Sequence, residues 1–123
     1  MKNDLGTTGE LISVNYLTGK GYQILSKNYY CLYGEVDIIA KKGMAVTFCE
    51  VKTRTNTPFD QIQTSVSINK QRKISKTASV YLSNHPEFDD FEISFDIILC
   101  NFISRFNQFK IKHIPDAFYY IDF

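Results

Sequence analysis

Three observations in this chain predict an α/β domain with a mixed central sheet of about five strands flanked by helices. The first is a helical period of apolar residues from Leu5 to Lys20. The second is a pair of apolar, strand-like runs, Glu35 to Lys41 and Met44 to Lys52, joined by turn chemistry. The third is a helix-like stretch, Asp60 to Ser83, placed before another strand-like run, Phe91 to Phe102. A helical crossover of that length lets the strand that follows it lie parallel to an earlier one.

The first helix has Leu11, Ile12, Val14, Tyr16 and Leu17 as candidate buried positions. Thr7 and Glu10 have the spacing of a capping box, and Gly19 and Gly21 supply a stop. Tyr22 to Tyr33 reads as the first strand. The hairpin follows, with Lys42-Gly43 as its two-residue loop, which sets Asp37 across from Phe48. Thr53 to Phe59 reads as a loop, with turn residues at Asn56 and Pro58. In the second helix Ile68, Ile74, Ala78, Tyr81 and Leu82 form the apolar stripe, and Asn84-His85-Pro86 ends it. The next strand alternates Phe95, Ile97 and Leu99 against Asp96, Ile98 and Cys100. Phe106 to Ile114 is the last strand, and the aromatic tail from Pro115 to Phe123 is expected to pack down.

A chain of 123 residues suits one domain, residues 1–123, with a core of its own. Ten Phe and eight Tyr supply much of that core. The formal net charge is +1, so any nucleic-acid binding must use a local patch rather than global charge. Met1 to Gly6 carries no apolar signal core, and no run is long and apolar enough to span a bilayer. Cys31, Cys49 and Cys100 are odd in number and lack metal-ligand spacing, so reduced thiols and a cytoplasmic location are expected. His85 and His113 lack ligand spacing too.

The chemistry concentrates in Gly34-Glu35-Val36-Asp37-Ile38 and Phe48-Cys49-Glu50-Val51-Lys52. Acids and a lysine inside apolar strands demand a partner or a metal. Alternation puts Phe48, Glu50 and Lys52 on one face, and the hairpin brings Asp37 onto that face. Glu35 shares it if the strand is regular. Two carboxylates converging beside a lysine can hold a hard cation and activate water against a phosphodiester. The capping box explains Glu10 without catalysis. Arg54 leaves the same strand and is a phosphate candidate. Lys70, one turn before Ile74, points toward the sheet, while Arg72, Lys73 and Lys76 lie further round the helix.

With those residues goes a wider pattern: Gly9-Glu10, Gly21-Tyr22-Gln23-Ile24-Leu25, Asn28, Gly34-Glu35-Val36-Asp37, Glu50-Val51-Lys52-Thr53-Arg54, Lys70 with Arg72, Phe95-Asp96 and His113-Ile114. In this order it resembles the YraN-like family of the restriction-endonuclease-like superfamily, which is similar to archaeal Holliday-junction resolvases. Val36, Ser94 and Phe59-Asp60 depart from that pattern. The resemblance implies a three-layer restriction-endonuclease-like fold and an endodeoxyribonuclease using Mg²⁺ or Mn²⁺. Carried over, Asp37 and Glu50 are metal ligands, with the Val51 carbonyl as a third oxygen. Lys52 orients or deprotonates water, and Glu10 corresponds to the helix glutamate of the resolvase-like branch. The implied catalytic set is Glu10, Asp37, Glu50 and Lys52, with Arg54, Lys70 and Arg72 touching nucleic acid. The implied partner is DNA, branched in a resolvase-like relative, and a two-fold dimer suits paired cuts. The alternative is a non-catalytic nucleic-acid- or protein-binding module that keeps the fold, a reading that the near-neutral charge favours.

Overall fold

The computed structural model describes residues 4–121. Its elements run α1 (Asp4–Gly19), β1 (Gln23–Cys31), β2 (Gly34–Lys42), β3 (Ala45–Thr55), α2 (Ile68–Ser83), β4 (Glu92–Ile103) and β5 (Gln108–Phe118). The five strands form one sheet in the order β1-β2-β3-β4-β5. All neighbours are antiparallel except β3 and β4, which run parallel after the α2 crossover. This is the expected mixed α/β sheet with a helix on each face, a three-layer arrangement consistent with a restriction-endonuclease-like fold.

The two faces are packed differently. On the α1 face, Leu17 meets Ile38, Ala40, Cys49, Ile98 and Cys100. The buried ridge of α1 is Gly9, Ser13 and Leu17, one residue per turn, while Leu11 is 57% exposed and not part of the core. Small residues win there because α1 lies close on β3. A Cβ at Gly9 would collide with the Thr53 hydroxyl. Ser13 Oγ donates to the Gly9 carbonyl at 2.8 Å. On the α2 face, Val36, Ile39, Val46, Phe48 and Phe95 pack under Ile74, Ala78 and Tyr81. Ile68, expected in the buried stripe, is instead exposed at the start of α2, and Leu82 packs only partly buried against the cluster.

Several boundaries differ from the expectation. Thr7 is not a cap, because α1 already runs from Asp4 and places Thr7 inside it. Strand β3 continues to Thr55, held by β4 as far as the Thr55–Phe102 pair, so Thr53 to Thr55 are not loop. Helix α2 starts only at Ile68, where Ser67 Oγ accepts from Lys70 N at 3.2 Å. The segment before it holds a single 3-10 turn at Phe59–Gln61, then buries Ile62 against Ile97 and Leu99. The β2–β3 loop is Gly43-Met44, since Lys42 pairs with Ala45. Gly43 takes a left-handed φ of 57° there. Strand β5 extends through Pro115 to Phe118, with a register shift opposite Phe95 and Ile97 that absorbs the proline. The tail packs onto α2: Ile121 N donates to Ser75 Oγ at 3.1 Å, and the Tyr120 hydroxyl lies 3.0 Å from Ser79 Oγ. Residues 122 and 123 of that tail lie outside the described ones.

Among the described residues no helix is long and apolar enough to cross a membrane. All three cysteines are free, and Cys49 and Cys100 are buried core thiols as expected.

Candidate functional site

The β2–β3 ladder closes at Ile38–Cys49. Extending that register by one residue sets Asp37 opposite Glu50, not Phe48. The two-residue difference in register preserves side-chain parity, so Asp37, Glu50 and Lys52 still share the face that the sequence assigned them. Alternation along β2 breaks at this point. Val36 and Ile39 both pack on the α2 side, whereas Ile38 and Ala40 pack on the α1 side. Asp37 therefore borders both layers.

Where the ladder stops, the Asp37 carboxylate takes over from the missing strand carbonyl. Val51 N donates to Asp37 Oδ2 at 2.8 Å. A strand residue presents its N–H and C=O to the same edge, so the Val51 carbonyl faces the same gap. Asp37, Glu50, Glu35 and Lys70 line a cleft of about 280 Å³ floored by Phe48, Ile74 and Phe118. A second hollow on the other side of Asp37 is lined by Glu10 and Asn28.

Charge in the cleft is unbalanced. The Asp37 carboxyl is pushed up to about 6 from an ordinary 3.8. Burial is the largest cause, opposed by the Val51 hydrogen bond and reinforced by the charges of Glu10, Glu50 and Glu35. Glu50 pairs through Oε1 with the Lys70 ammonium. Its other oxygen, Oε2, is buried and has no hydrogen-bond partner. A buried carboxylate oxygen without a donor is costly and needs a physical reason. The Lys52 ammonium is turned to the Gln63 carbonyl at 2.5 Å. Desolvation holds its pKa below the ordinary lysine value, with Glu50 raising it and Lys70 and Arg54 lowering it.

Glu10 reaches the cluster from α1, linked to Glu35 rather than acting as a cap. The Asn28 amide, oriented with its nitrogen toward the acids, donates to Glu35 Oε1 and Glu10 Oε1, both at 3.3 Å. Asn28 holds this position by adopting a left-handed φ of 52° within β1. Arg54 is exposed at the end of β3, its guanidinium donating to the neighbouring Thr53 carbonyl at 2.8 Å. Arg72 is exposed about 200° round α2 from Lys70 and does not join the cleft.

Asn28 and Gln63 enter the site without having been singled out for it. An asparagine interrupting an apolar strand was the available signal for the first, because asparagine tolerates the left-handed region. Nothing in the local sequence marks Gln63. Its role depends on a backbone carbonyl placed by the fold.

The residues fit a hard divalent cation. Asp37, Glu50 and the Val51 carbonyl are oxygen donors of the right chemistry, and the partnerless Glu50 Oε2 is an acceptor awaiting a positive charge. Among the described residues, no three acid, imidazole or thiolate side chains form a preassembled cage.

A second polar cluster runs from the cleft, which Asp96 also lines, to Tyr16 of α1. Asp96 is 2% exposed and accepts from Asp116 N at 3.0 Å and from Ser94 Oγ, and its Oδ2 lies 2.6 Å from His113 Nε2. His113 Nδ1 lies 3.3 Å from the Tyr16 hydroxyl. Asp96 braces the shifted register of β5 through the Asp116 amide while lining the cleft.

A family model described as "Uncharacterised protein family UPF0102" matches residues 9–100. A UPF0102 protein of Geobacter metallireducens is 41% identical over 93% of this chain and 91% of its own length. One from Syntrophomonas wolfei is 38% identical over 96% of this chain and all of its own. One from Geotalea daltonii is 42% identical over 95% and 93%. The chain belongs to the UPF0102 family. This is the YraN-like family whose motif order the sequence carries, and every cleft residue named above except Phe118 lies within the matched span of residues 9–100.

Proposed function

We propose that this UPF0102 protein is a metal-dependent endonuclease that hydrolyses DNA phosphodiester bonds. The observation that carries the reading is the paired Asp37 and Glu50 at the end of the β2–β3 ladder, with Glu50 Oε2 buried and partnerless. Folding alone gives no reason to leave that oxygen bare. Asp37, Glu50 and the Val51 carbonyl would hold Mg²⁺ or Mn²⁺. Bound there, the ion would polarise a phosphoryl oxygen and lower the pKa of water.

The chain's own residues supply the rest. Asp37 keeps its Val51 hydrogen bond, which fixes the carboxylate's direction. Lys52 swings from the Gln63 carbonyl toward the scissile phosphate, where its ammonium offsets developing charge or its lowered pKa helps it take a proton from water. Lys70, released from Glu50, turns to a non-bridging phosphate oxygen. Glu10 and Glu35, tied by Asn28, hold a water on the far side of Asp37. Arg54 contacts the backbone beyond the cut. The substrate class that suits a resolvase-like relative is branched DNA, cut by a two-fold dimer.

A second reading, a non-catalytic binding module, draws on the Lys70–Glu50 pair, which already neutralises one acid. One experiment separates the two. Purified protein is incubated with a four-way junction and with its matching linear duplex, in Mg²⁺, in Mn²⁺ and in chelator, beside Lys52→Ala. Metal-dependent cutting that is lost in the variant is the expected result, and the junction-to-duplex ratio reports substrate preference. Folded protein that cuts neither DNA with either metal overturns the nuclease reading.

A further inference from the structure

A groove of about 520 Å³ opens where β3 and β4 end and β5 begins. Pro58, Phe59 and Ile103 give it apolar walls, and Arg105 and Lys110 border it. Among the described residues no acid lines it, and neither cation is ion-paired. The cleft has the opposite character, with Glu35, Asp37, Glu50 and Asp96 in its walls. Two asparagines hold the groove in shape. Asn101, 4% exposed, accepts from Thr57 N at 3.1 Å and donates through Nδ2 to the Thr57 carbonyl at 2.5 Å. Asn56 Oδ1 accepts from Ser104 N at 3.0 Å, and Asn56 Nδ2 donates to Ser104 Oγ at 2.8 Å. The exit of β3 is thereby clasped to β4 and to the β4–β5 turn.

Sheet register ties the groove to the cleft. Arg54 pairs with Asn101, and Asn101 pairs with Lys110. Paired residues share a face, so these three side chains form a row across β3, β4 and β5. Alternation along β3 sets that row on the face of Glu50 and Lys52. Arg54 stands four residues after Glu50, about 13 Å along the strand. Duplex DNA advances about 3.4 Å per nucleotide along its axis. With that axis along β3, the row meets the backbone about four nucleotides from a phosphate held at Glu50.

We propose that this groove is a second phosphate-binding site, at which Arg105 and Lys110 grip the backbone of the duplex arm that leaves the cleft. Charge selects the occupant, because a groove bordered by two unpaired cations and no acid complements a polyanion. A DNA backbone alternates phosphate anions with apolar sugar faces, and the walls of Pro58, Phe59 and Ile103 suit the sugars. The role is positioning. Phosphate contacts fix the register of a protein on a duplex without reading its bases. The asparagine clasps keep the two cations at a set distance from Asp37 and Glu50, so the groove governs which phosphate enters the cleft. The inference rests on the nucleic-acid reading of the cleft but not on catalysis.

Its test is therefore made in chelator. Fluorescence anisotropy follows a labelled duplex across a salt series with wild type, with Arg105→Ala/Lys110→Ala and with Lys20→Ala/Lys42→Ala. The last pair removes the same charge from exposed lysines outside the groove. Matching thermal melts confirm that each variant folds. The groove variant is expected to bind the duplex about tenfold or more weakly. Its plot of log affinity against log salt should be shallower by about 1.8, two phosphates at about 0.9 each. The Lys20 and Lys42 variant should stay within about twofold of wild type. Wild-type affinity and slope in the groove variant overturn the proposal. Equal losses in the two variants overturn it too, since net charge then accounts for the effect. Protein that binds duplex through the groove but cuts nothing with either metal refutes the nuclease reading alone.

Discussion

Two acids on neighbouring regions of one sheet, both largely removed from water, are treated in opposite ways. Asp96 on β4 has a partner for every demand: the Asp116 amide, the Ser94 hydroxyl and the His113 ring. At the end of the β2–β3 ladder, Asp37 has one backbone donor and three acids in its field, and Glu50 keeps a buried oxygen with no partner. Satisfied burial braces a fold. Unsatisfied burial of like charges costs stability and persists where something outside the chain supplies the missing positive charge. On the proposed reading, the contrast sets an acid that braces the fold beside acids that would hold a cation.

The largest expected effect breaks the satisfied side. Asp96→Ala strips His113 and the Asp116 amide of their acceptor in a buried place. It is expected to destabilise the protein by about 3–5 kcal/mol. Urea unfolding followed by circular dichroism measures it. A loss of less than about 0.5 kcal/mol would remove Asp96 from the brace.

The unsatisfied side should respond with the opposite sign. The Asp37 carboxyl titrates at about 6 when folded, against 3.8 as its ordinary value. The folded state therefore holds the proton more tightly, and the stabilisation is full below pH 3.8 and is lost as pH rises through 6. By pH 8 an ionised Asp37 costs about 3 kcal/mol, taking 1.36 kcal/mol per pH unit. Asp37→Asn keeps an acceptor for Val51 N and removes the charge. Metal-free Asp37→Asn is expected to be more stable than wild type at pH 8 by up to about 3 kcal/mol, with the gain vanishing toward pH 4. Cutting should fall by at least about 100-fold. Denaturant melts across this pH range check the first part. A variant less stable than wild type at pH 8 would make Asp37 another Asp96.

How far the sequence anticipated this follows from which forces are local. Period and alternation fix α1, the hairpin and the shared face of Asp37, Glu50 and Lys52. That face survived even though the loop proved to be Gly43-Met44, because a two-residue slip leaves parity intact. Arrangements set by distant chain were not readable. The eight residues before α2 carry helix-compatible polar content, but burial of Ile62 under β4 and the Ser67 cap pull them out of the helix. Pro115 suggested a strand end, yet Asp96, far away in sequence, braces the bulge that lets β5 continue. Lys70 read as a phosphate contact, and only the packing of α2 against β2 and β3 reveals its partner, Glu50.

That partner gives the smallest and most discriminating expectation. Lys70 stands on Glu50 Oε1 from a half-exposed position, so the pair itself is worth little in stability. Its consequence is competition: the ammonium and a divalent cation seek the same carboxylate. Removing it leaves both Glu50 oxygens without a donor and deepens the negative field that already raises the Asp37 carboxyl. Lys70→Ala is therefore expected to bind Mn²⁺ about two- to fivefold more tightly without DNA, the scale of an exposed ion pair. Calorimetric titration with Mn²⁺ measures it. Lys70→Arg keeps a cation in place and should bind like wild type. If Lys70→Ala instead binds Mn²⁺ more weakly, the lysine holds Glu50 in its ligating position rather than guarding it, and the two lysines of the cleft exchange roles: Lys70 as the positioning residue and Lys52 as the sole cation left to meet phosphate.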